Sequence, residues 1–523
     1  MSRSRIHGLL VMALCLAFFL QGLFASRGKS PTFDEPIHIV SGATYIATGR
    51  IVANLQHPPL VKELAGLSLA LAGIHWKGPV EGRGNWAWDA ANPFLTGAGV
   101  VRALFWARLP LLLLTPLLGV LIYWWGRELA GPRAGLCALF LFAADPTMVA
   151  HSYLVTTDVA VTLFSLLFLL TLYRYLQTPG AGRLLWAGVA LGVALCAKFS
   201  AIFLLPIAAI LLLVGAPRPG GTGARVKFAV RMLAGMGLVA LVVVEVLYLS
   251  WRAPYLYLLG LHRVNRDHIP GAMYYLAGQL KTHFASYFAV AWLLKEPLAI
   301  IALALGGSVL VWRSRAIPRL AKFFLLLPPA VFFLACTLWA DDIGVRYLMP
   351  AMAFGYLAGG IALAALWNGR VFHRAAAVAA CLWVVLAAAG IYPDHLSYFN
   401  EAACLPGHTE RIGLDGGSRC GTDWLADSNV DWGQSLPQLK AWLDKHAGGR
   451  NVRLLYFGFL PPEAYGLPAA TDYQELTPLP ARGLYAISAH YLAWGLAFPK
   501  LAWLREEPAA VVGHAYYIFD VDY

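Results

Sequence analysis

Charged side chains are scarce in this chain: they fill 13% of its 523 positions, against 59% for hydrophobic ones. So few charges cannot carry that much apolar surface into water, which excludes an ordinary soluble protein and points to an integral membrane protein. Acids are scarcer still than bases, leaving a formal net charge of +12. Nucleic-acid binding would need those bases gathered on one soluble face. Here they sit at alternate ends of apolar runs, so no nucleic-acid partner is expected. Cysteine is sparse too, and the seven present form neither a Cys-x-x-Cys pair nor a His/Cys metal spacing. Cys15, Cys137, Cys196, Cys336 and Cys381 lie in apolar runs and read as small core residues. Cys404 and Cys420 fall in a polar region and could be bridged in an oxidising compartment. No internal repeat or low-complexity tract is visible.

Apolar runs are what the chain has in abundance. The run from Leu9 to Phe24 follows two arginines and ends at Ala25-Ser26-Arg27, a poor cleavage site, so it reads as a retained first span, with a signal peptide as the alternative. Further runs cover residues 103–125, 135–150, 156–173, 184–197, 199–214, 228–250, 297–312, 323–339, 348–366 and 375–392. That makes about eleven spans, several of them short for a bilayer. Residues 36–48 and 60–74 are shorter and more polar, and read as helices at the membrane interface, followed by a loop carrying Trp76, Trp86 and Trp88.

Arg127, Arg133, Arg174, Arg183, Arg218, Arg225, Lys227, Arg313, Arg315, Arg319, Lys322, Arg370 and Arg374 fall on one side of these spans, with Arg3 and Arg5. By the positive-inside rule that side is cytoplasmic, and the N-terminus with it. Asp34, Glu35, Asp158, Lys198, Asp341, Asp342, Arg346 and everything after Tyr392 then lie outside. The expected division is a transmembrane domain over residues 1–392, with outer loops at 26–102 and 251–296, and a small α/β domain over 393–523. In that domain Ser435-Leu436-Pro437-Gln438 matches a helix capping box, while residues 452–459, 483–489 and 516–521 read as strands.

Four outer places carry chemistry. Asp34 and Glu35 precede Pro36 and are joined by His57 and Lys62; a carboxylate there could cap a helix or act in catalysis. Asp158 opens a span, with the same two readings. The loop Asp341-Asp342-Ile343-Gly344-Val345-Arg346-Tyr347-Leu348-Met349-Pro350 offers Arg346 and Tyr347, as phosphate ligands or as interfacial anchors. The outer loop from Trp251 to Glu296 adds Arg252, His262, Arg263, Arg266, His268, Lys281 and His283.

Phe33-Asp34-Glu35-Pro36, Tyr45-Ile46-Ala47-Thr48-Gly49-Arg50 and His57-Pro58-Pro59-Leu60-Val61-Lys62 together resemble the first outer loop of the polyprenol-phosphate-sugar-dependent glycosyltransferases. These membrane enzymes have the GT-C fold and include the protein O-mannosyltransferases and the lipid A aminoarabinose transferase. The run Tyr287 to Leu298, the run Tyr398-Phe399-Asn400-Glu401 and the run Asp427-Ser428-Asn429-Val430-Asp431-Trp432-Gly433-Gln434 resemble segments of bacterial members. The last of these reads equally as a structural turn or an acceptor contact.

What the resemblance implies is a mostly helical polytopic protein of the bacterial inner membrane, with its C-terminal domain in the periplasm. It would move a sugar, with inversion, from a polyprenyl-phosphate donor to a hydroxyl of a protein, lipid or glycan. Asp34, with Glu35 beside it, is then the candidate catalytic acid/base. Arg346, Tyr347, Lys62, Lys281 and Arg263 are candidates for the donor phosphate, and Asp158 and His57 for substrate or metal. Involvement of a divalent cation, Mg or Mn, is left open, since the acids' spacing forms no cage. Two rivals stand beside this reading. Another lipid-linked glycan ligase or polymerase would lack the early Phe-Asp-Glu and His-Pro-Pro-Leu pair. A secondary transporter would show repeated halves and mid-depth charges.

Overall fold

The computed structural model describes residues 3–80, 86–217, 221–266, 271–405 and 407–522; Arg218 and His268, named above, lie outside them. The chain is mostly helical, and seven of the described helices are long and apolar enough to cross a membrane, or eight if one bent pair counts as a single span. It is a multi-pass membrane protein. The apolar runs picked out in the sequence are largely helical, but the run 135–150 is broken at Ala144-Asp145 into Pro132–Ala143 and Pro146–His151, where the Asp145 carboxylate caps the second helix. Pro132–Ala143 and Ala181–Ala197 fall short because twelve and seventeen residues at about 1.5 Å each do not reach across about 30 Å of hydrocarbon.

Two breaks in these helices position side chains. At Lys198 the backbone turns extended between Ala181–Ala197 and the segment Phe199–Gly215, which releases its side chain sideways. At Glu296-Pro297 the helices Tyr287–Lys295 and Leu298–Arg313 meet at 115°. Pro297 cannot donate to the preceding turn, and Asn400 serves the freed carbonyls: its Nδ2 donates to Leu293 O (2.6 Å) and Glu296 O (2.7 Å). The Tyr-Phe-Asn-Glu run is therefore a cap on a broken helix.

The two short helices expected at the interface, Glu35–Thr48 and Leu60–Leu71, bury most of their side chains within the protein. They cross so closely that a Cβ on Gly42 would collide with the Lys62 carbonyl, and only glycine fits there.

The C-terminal region holds a four-stranded sheet in the order β3 (Val452–Leu455), β4 (Gly483–Ser488), β6 (Tyr516–Val521), β5 (Ala510–Val512). β3 and β4 are parallel and the other pairs antiparallel. Earlier in the chain, β1 (Tyr274–Leu276) and β2 (Gln279–Lys281) form a separate hairpin. The helix Leu436–His446 lays Leu436, Leu439 and Leu443 under Leu454, Leu484 and Ile518. β5 is too short to carry a period-two signal and was not expected. The capping box at Ser435 is not formed. Ser435 Oγ (3.3 Å) and Gln438 Oε1 (2.7 Å) both accept from Lys29 Nζ instead, a tertiary contact that outcompetes the local one. Cys404 and Cys420 form a disulfide.

Candidate active site

The helix Glu35–Thr48 begins at the acid pair, and the two acids point different ways. Glu35 is fully buried. Its Oε1 and Oε2 accept from Arg108 Nε (2.8 Å) and Nη2 (2.6 Å), and further bonds come from Thr32 N (2.8 Å) and Val155 N (3.1 Å). Four donors saturate a carboxylate. Arg108, from the helix Val100–Ala130, also donates to Ser26 O, Lys29 O and Ser30 O. Glu35 thus fastens the loop that carries Asp34 to the helical bundle.

Asp34 makes no capping bond. Its side chain keeps 26% exposure and its Oδ2 lies 3.6 Å from Arg346 Nη2. Burial pushes its carboxyl above the ordinary carboxylate value, with the Arg346 charge opposing. Asp158 does not cap its helix either. Its Oδ1 sits 2.6 Å from Lys198 Nζ and its Oδ2 3.3 Å from Arg346 Nη1. Lys198 Nζ stands 4.2 Å from the centre of the Tyr347 ring, and the Arg346 guanidinium lies 4.2 Å from the Trp432 ring, both positions in which a ring face attracts a cation. Two acids and two bases from four parts of the chain thus meet in one cluster: Asp34, Asp158, Lys198 and Arg346.

Asp427 to Gln434 binds several of these segments together. Ser428 Oγ donates to Ile343 O (2.8 Å) and accepts from Arg346 Nε (3.3 Å). Asn429 Oδ1 accepts from Val345 N (3.0 Å), and its Nδ2 donates to Tyr287 OH (2.8 Å). Trp432 O and Gln434 O accept from Phe33 N (2.9 Å) and Ser30 N (3.0 Å). The motif therefore grips the loop carrying Asp34 on one side and the loop carrying Arg346 on the other.

The other sequence candidates stand outside the ion pairs of this cluster. Lys62 is buried, with Nζ donating to Asn54 O, Asn54 Oδ1 and His57 O, and burial lowers it to about 7. It braces its own loop. His57 packs edge-on to His38, 5.2 Å between ring centres, and burial pulls its pKa well below the ordinary imidazole value. Lys281, on β2, and Arg263 are exposed. The sequence motifs point to neither Lys198 nor Arg108. A charge interrupting an apolar run is the signal that finds both.

A divalent cation does not fit this cluster. The Asp158 oxygens already face Lys198 and Arg346 and those of Glu35 face Arg108, so an added cation would meet positive charge. Among the described residues no group of three His, Cys, Asp or Glu side chains is arranged to hold a metal.

Residues 100–251 match the dolichyl-phosphate-mannose-protein mannosyltransferase family model. That segment contains Arg108, Asp158 and Lys198, and the match supports the resemblance to the GT-C glycosyltransferases drawn from the motifs. No curated protein sequence matches the chain. Among solved structures, similar ones include ArnT from Cupriavidus metallidurans bound to undecaprenyl phosphate, at 14% identity and TM-score 0.47, covering 99% of this chain and 98% of that one. The oligosaccharyltransferase AglB from Archaeoglobus fulgidus, in complex with an inhibitory peptide and a dolichol-phosphate, gives 12% identity and TM-score 0.48 over 97% of this chain and 72% of that one. The S. cerevisiae Pmt1-Pmt2 complex bound to the sugar donor gives 18% identity and TM-score 0.35 over 53% and 39%.

Proposed function

We propose that the protein transfers a sugar, with inversion, from a polyprenyl-phosphate donor to a hydroxyl group of a protein, lipid or glycan acceptor on the outer, periplasmic face of a bacterial inner membrane. The observation that carries this reading is the meeting of Asp34, from the first outer loop, with Arg346, 3.6 Å away and more than three hundred residues later in the chain. The mannosyltransferase-family match over residues 100–251 supports it independently.

In this reading the donor phosphate enters beside Arg346 and Lys198, the two cations best able to take up charge that develops on the leaving group. Arg346 faces Asp34 and Asp158; the phosphate replaces Asp34 as its partner, so Asp34 turns to the acceptor. The acceptor oxygen then forms a bond to the anomeric carbon, its proton passes to an Asp34 carboxylate oxygen, and the bond from that carbon to the phosphate oxygen breaks. The electron pair leaves with the polyprenyl phosphate. One displacement inverts the centre and needs one base. The raised basicity of Asp34 that burial causes suits that base. Glu35 and Arg108 hold the loop, and Asp158 holds the two cations apart in fixed positions.

The test is sugar transfer by the purified protein in nanodiscs, with radiolabelled polyprenyl-phosphate sugars and a membrane extract as acceptor source. Label moving out of the donor in an Asp34-dependent manner supports the reading. Label that stays on the lipid across donors of several sugars refutes it.

A further inference from the structure

The Asp427 side chain does not bridge the loops that the Asp427–Gln434 motif joins; its Oδ1 bonds only its own neighbour, Ser428 N. The Asp427 backbone has φ 56°, a left-handed conformation that few side chains other than Asn and Asp adopt willingly. Two bonds hold it there: its N donates to His490 Nδ1 (3.1 Å), and its Oδ1 accepts from Ser428 N (2.6 Å). The side chain is half-buried, and Ser428, the next residue, contacts Arg346. A constrained carboxyl is thus held next to the residue that contacts the arginine of the cluster, in the field of both Arg346 and Asp34.

Beside it stands an aromatic wall. Phe457 stacks on His490 with 3.7 Å between ring centres, Tyr491 meets Phe457 edge-on at 6.2 Å, and Phe33 stacks on Phe457 at 5.6 Å. Phe33, Phe457 and Tyr491 each remain partly exposed. Since Phe33 adjoins Asp34 and His490 bonds Asp427, the wall runs from the proposed base to the constrained acid. Flat apolar faces next to a hydrogen-bonding carboxyl suit a ligand that is apolar on one side and hydroxylated at its edge.

Resting on the sugar-transfer reading, we propose that Asp427 and the Phe33, Phe457, His490 and Tyr491 wall form the subsite for the donor's sugar ring, a neutral hydroxylated pyranose. The ring is tied to the phosphate at Arg346, so it falls within reach of the residue next to Ser428. The Asp427 carboxyl bonds its hydroxyls while the wall covers its C–H face. Burial lifts the Asp427 carboxyl to about 7, so near neutral pH it both donates and accepts, as a sugar hydroxyl requires.

Asp427→Asn is the informative variant, because asparagine keeps the left-handed backbone and the bond to Ser428 N while changing the group offered to the sugar. Asp427→Gly, which also tolerates this φ, is the second. Binding of bare undecaprenyl phosphate is compared, in nanodiscs, with binding of undecaprenyl phosphate carrying mannose, glucose, galactose or N-acetylglucosamine. In the native protein at least one sugar-bearing lipid is expected to bind more tightly than the bare lipid. Both variants should lower that preference about tenfold or more while holding bare lipid phosphate normally, with an unchanged thermal midpoint in Asp427→Asn. Variants that keep the full preference overturn the subsite and leave the sugar-transfer reading intact. A native protein that binds neither lipid, or whose binding survives Arg346→Ala, overturns both.

Discussion

Replacing Arg108 by methionine leaves the Glu35 carboxylate fully buried with its main partner gone. The side chain makes five hydrogen bonds, two to Glu35 at 2.8 and 2.6 Å and three to the carbonyls of Ser26, Lys29 and Ser30 at 3.2, 3.1 and 2.9 Å. Breaking a buried pair by removing one partner costs about 3–5 kcal/mol, because an uncompensated charge remains. Methionine fills much of the volume, so little of this loss comes from a cavity. Glu35→Gln alone should destabilise by less, since a neutral amide can stay buried. The double variant should recover part of the Arg108→Met loss, with a coupling of about 2 kcal/mol. A reversible SDS titration read by tryptophan fluorescence measures all three. Arg108→Met within about 1 kcal/mol of the native protein, or strict additivity, would refute the view that this pair anchors the loop carrying Asp34. Transfer per folded molecule in Glu35→Gln should stay within severalfold of normal; a loss of a hundredfold or more would return Glu35 to the chemistry.

Other expectations follow from the same geometry. Arg346→Ala and Lys198→Met should each weaken use of the lipid donor, read as a higher KM for donor in nanodisc assays, whereas Lys281→Met and Arg263→Met should leave it unchanged. His514 donates to Asp394 (3.0 Å) and Asp415 (3.1 Å), and these carboxylates raise it to about 9. A folded value above the unfolded one near 6.5 means its stabilisation is full below about pH 6.5 and is lost as pH rises through about 9. It amounts to about 3 kcal/mol at most. Thermal midpoints should fall over that window and lose that dependence in His514→Gln. Because the proposed base must be ionised and burial raises Asp34, turnover should fall on the acid side at a higher pH than an exposed aspartate would give.

A mostly helical multi-pass membrane protein was legible because long apolar runs and their arginine-flanked ends carry it, but the count of about eleven spans was not, since seven described helices, or eight with the bent pair, are long and apolar enough to cross. Arg174 meets Glu128 and Arg133 meets Asn368 at one end of the bundle, as that charge pattern implies. Asp34, Asp158 and Arg346 stood out as charges at the ends of apolar segments. Nothing local divided Asp34 from Glu35, since that division depends on Arg108, seventy-three residues away from Glu35. Lys198 joins the cluster only because its helix breaks there. Lys62 looked like a phosphate ligand from its motif, yet Asn54 and His57 take its ammonium. The Ser435 box failed for a similar reason: Lys29, about four hundred residues earlier in sequence, claims both of its acceptors.

Turnover of Asp34→Asn, measured beside Glu35→Gln on protein shown to be folded, bears most directly on the assignment of the base. Loss of the proton acceptor should lower transfer a hundredfold or more without weakening donor binding, since the variant removes the carboxylate that competes for Arg346. Near-normal transfer in that variant would mean that the proton leaves by another route and that the Asp34–Arg346 pair only holds the loop in place.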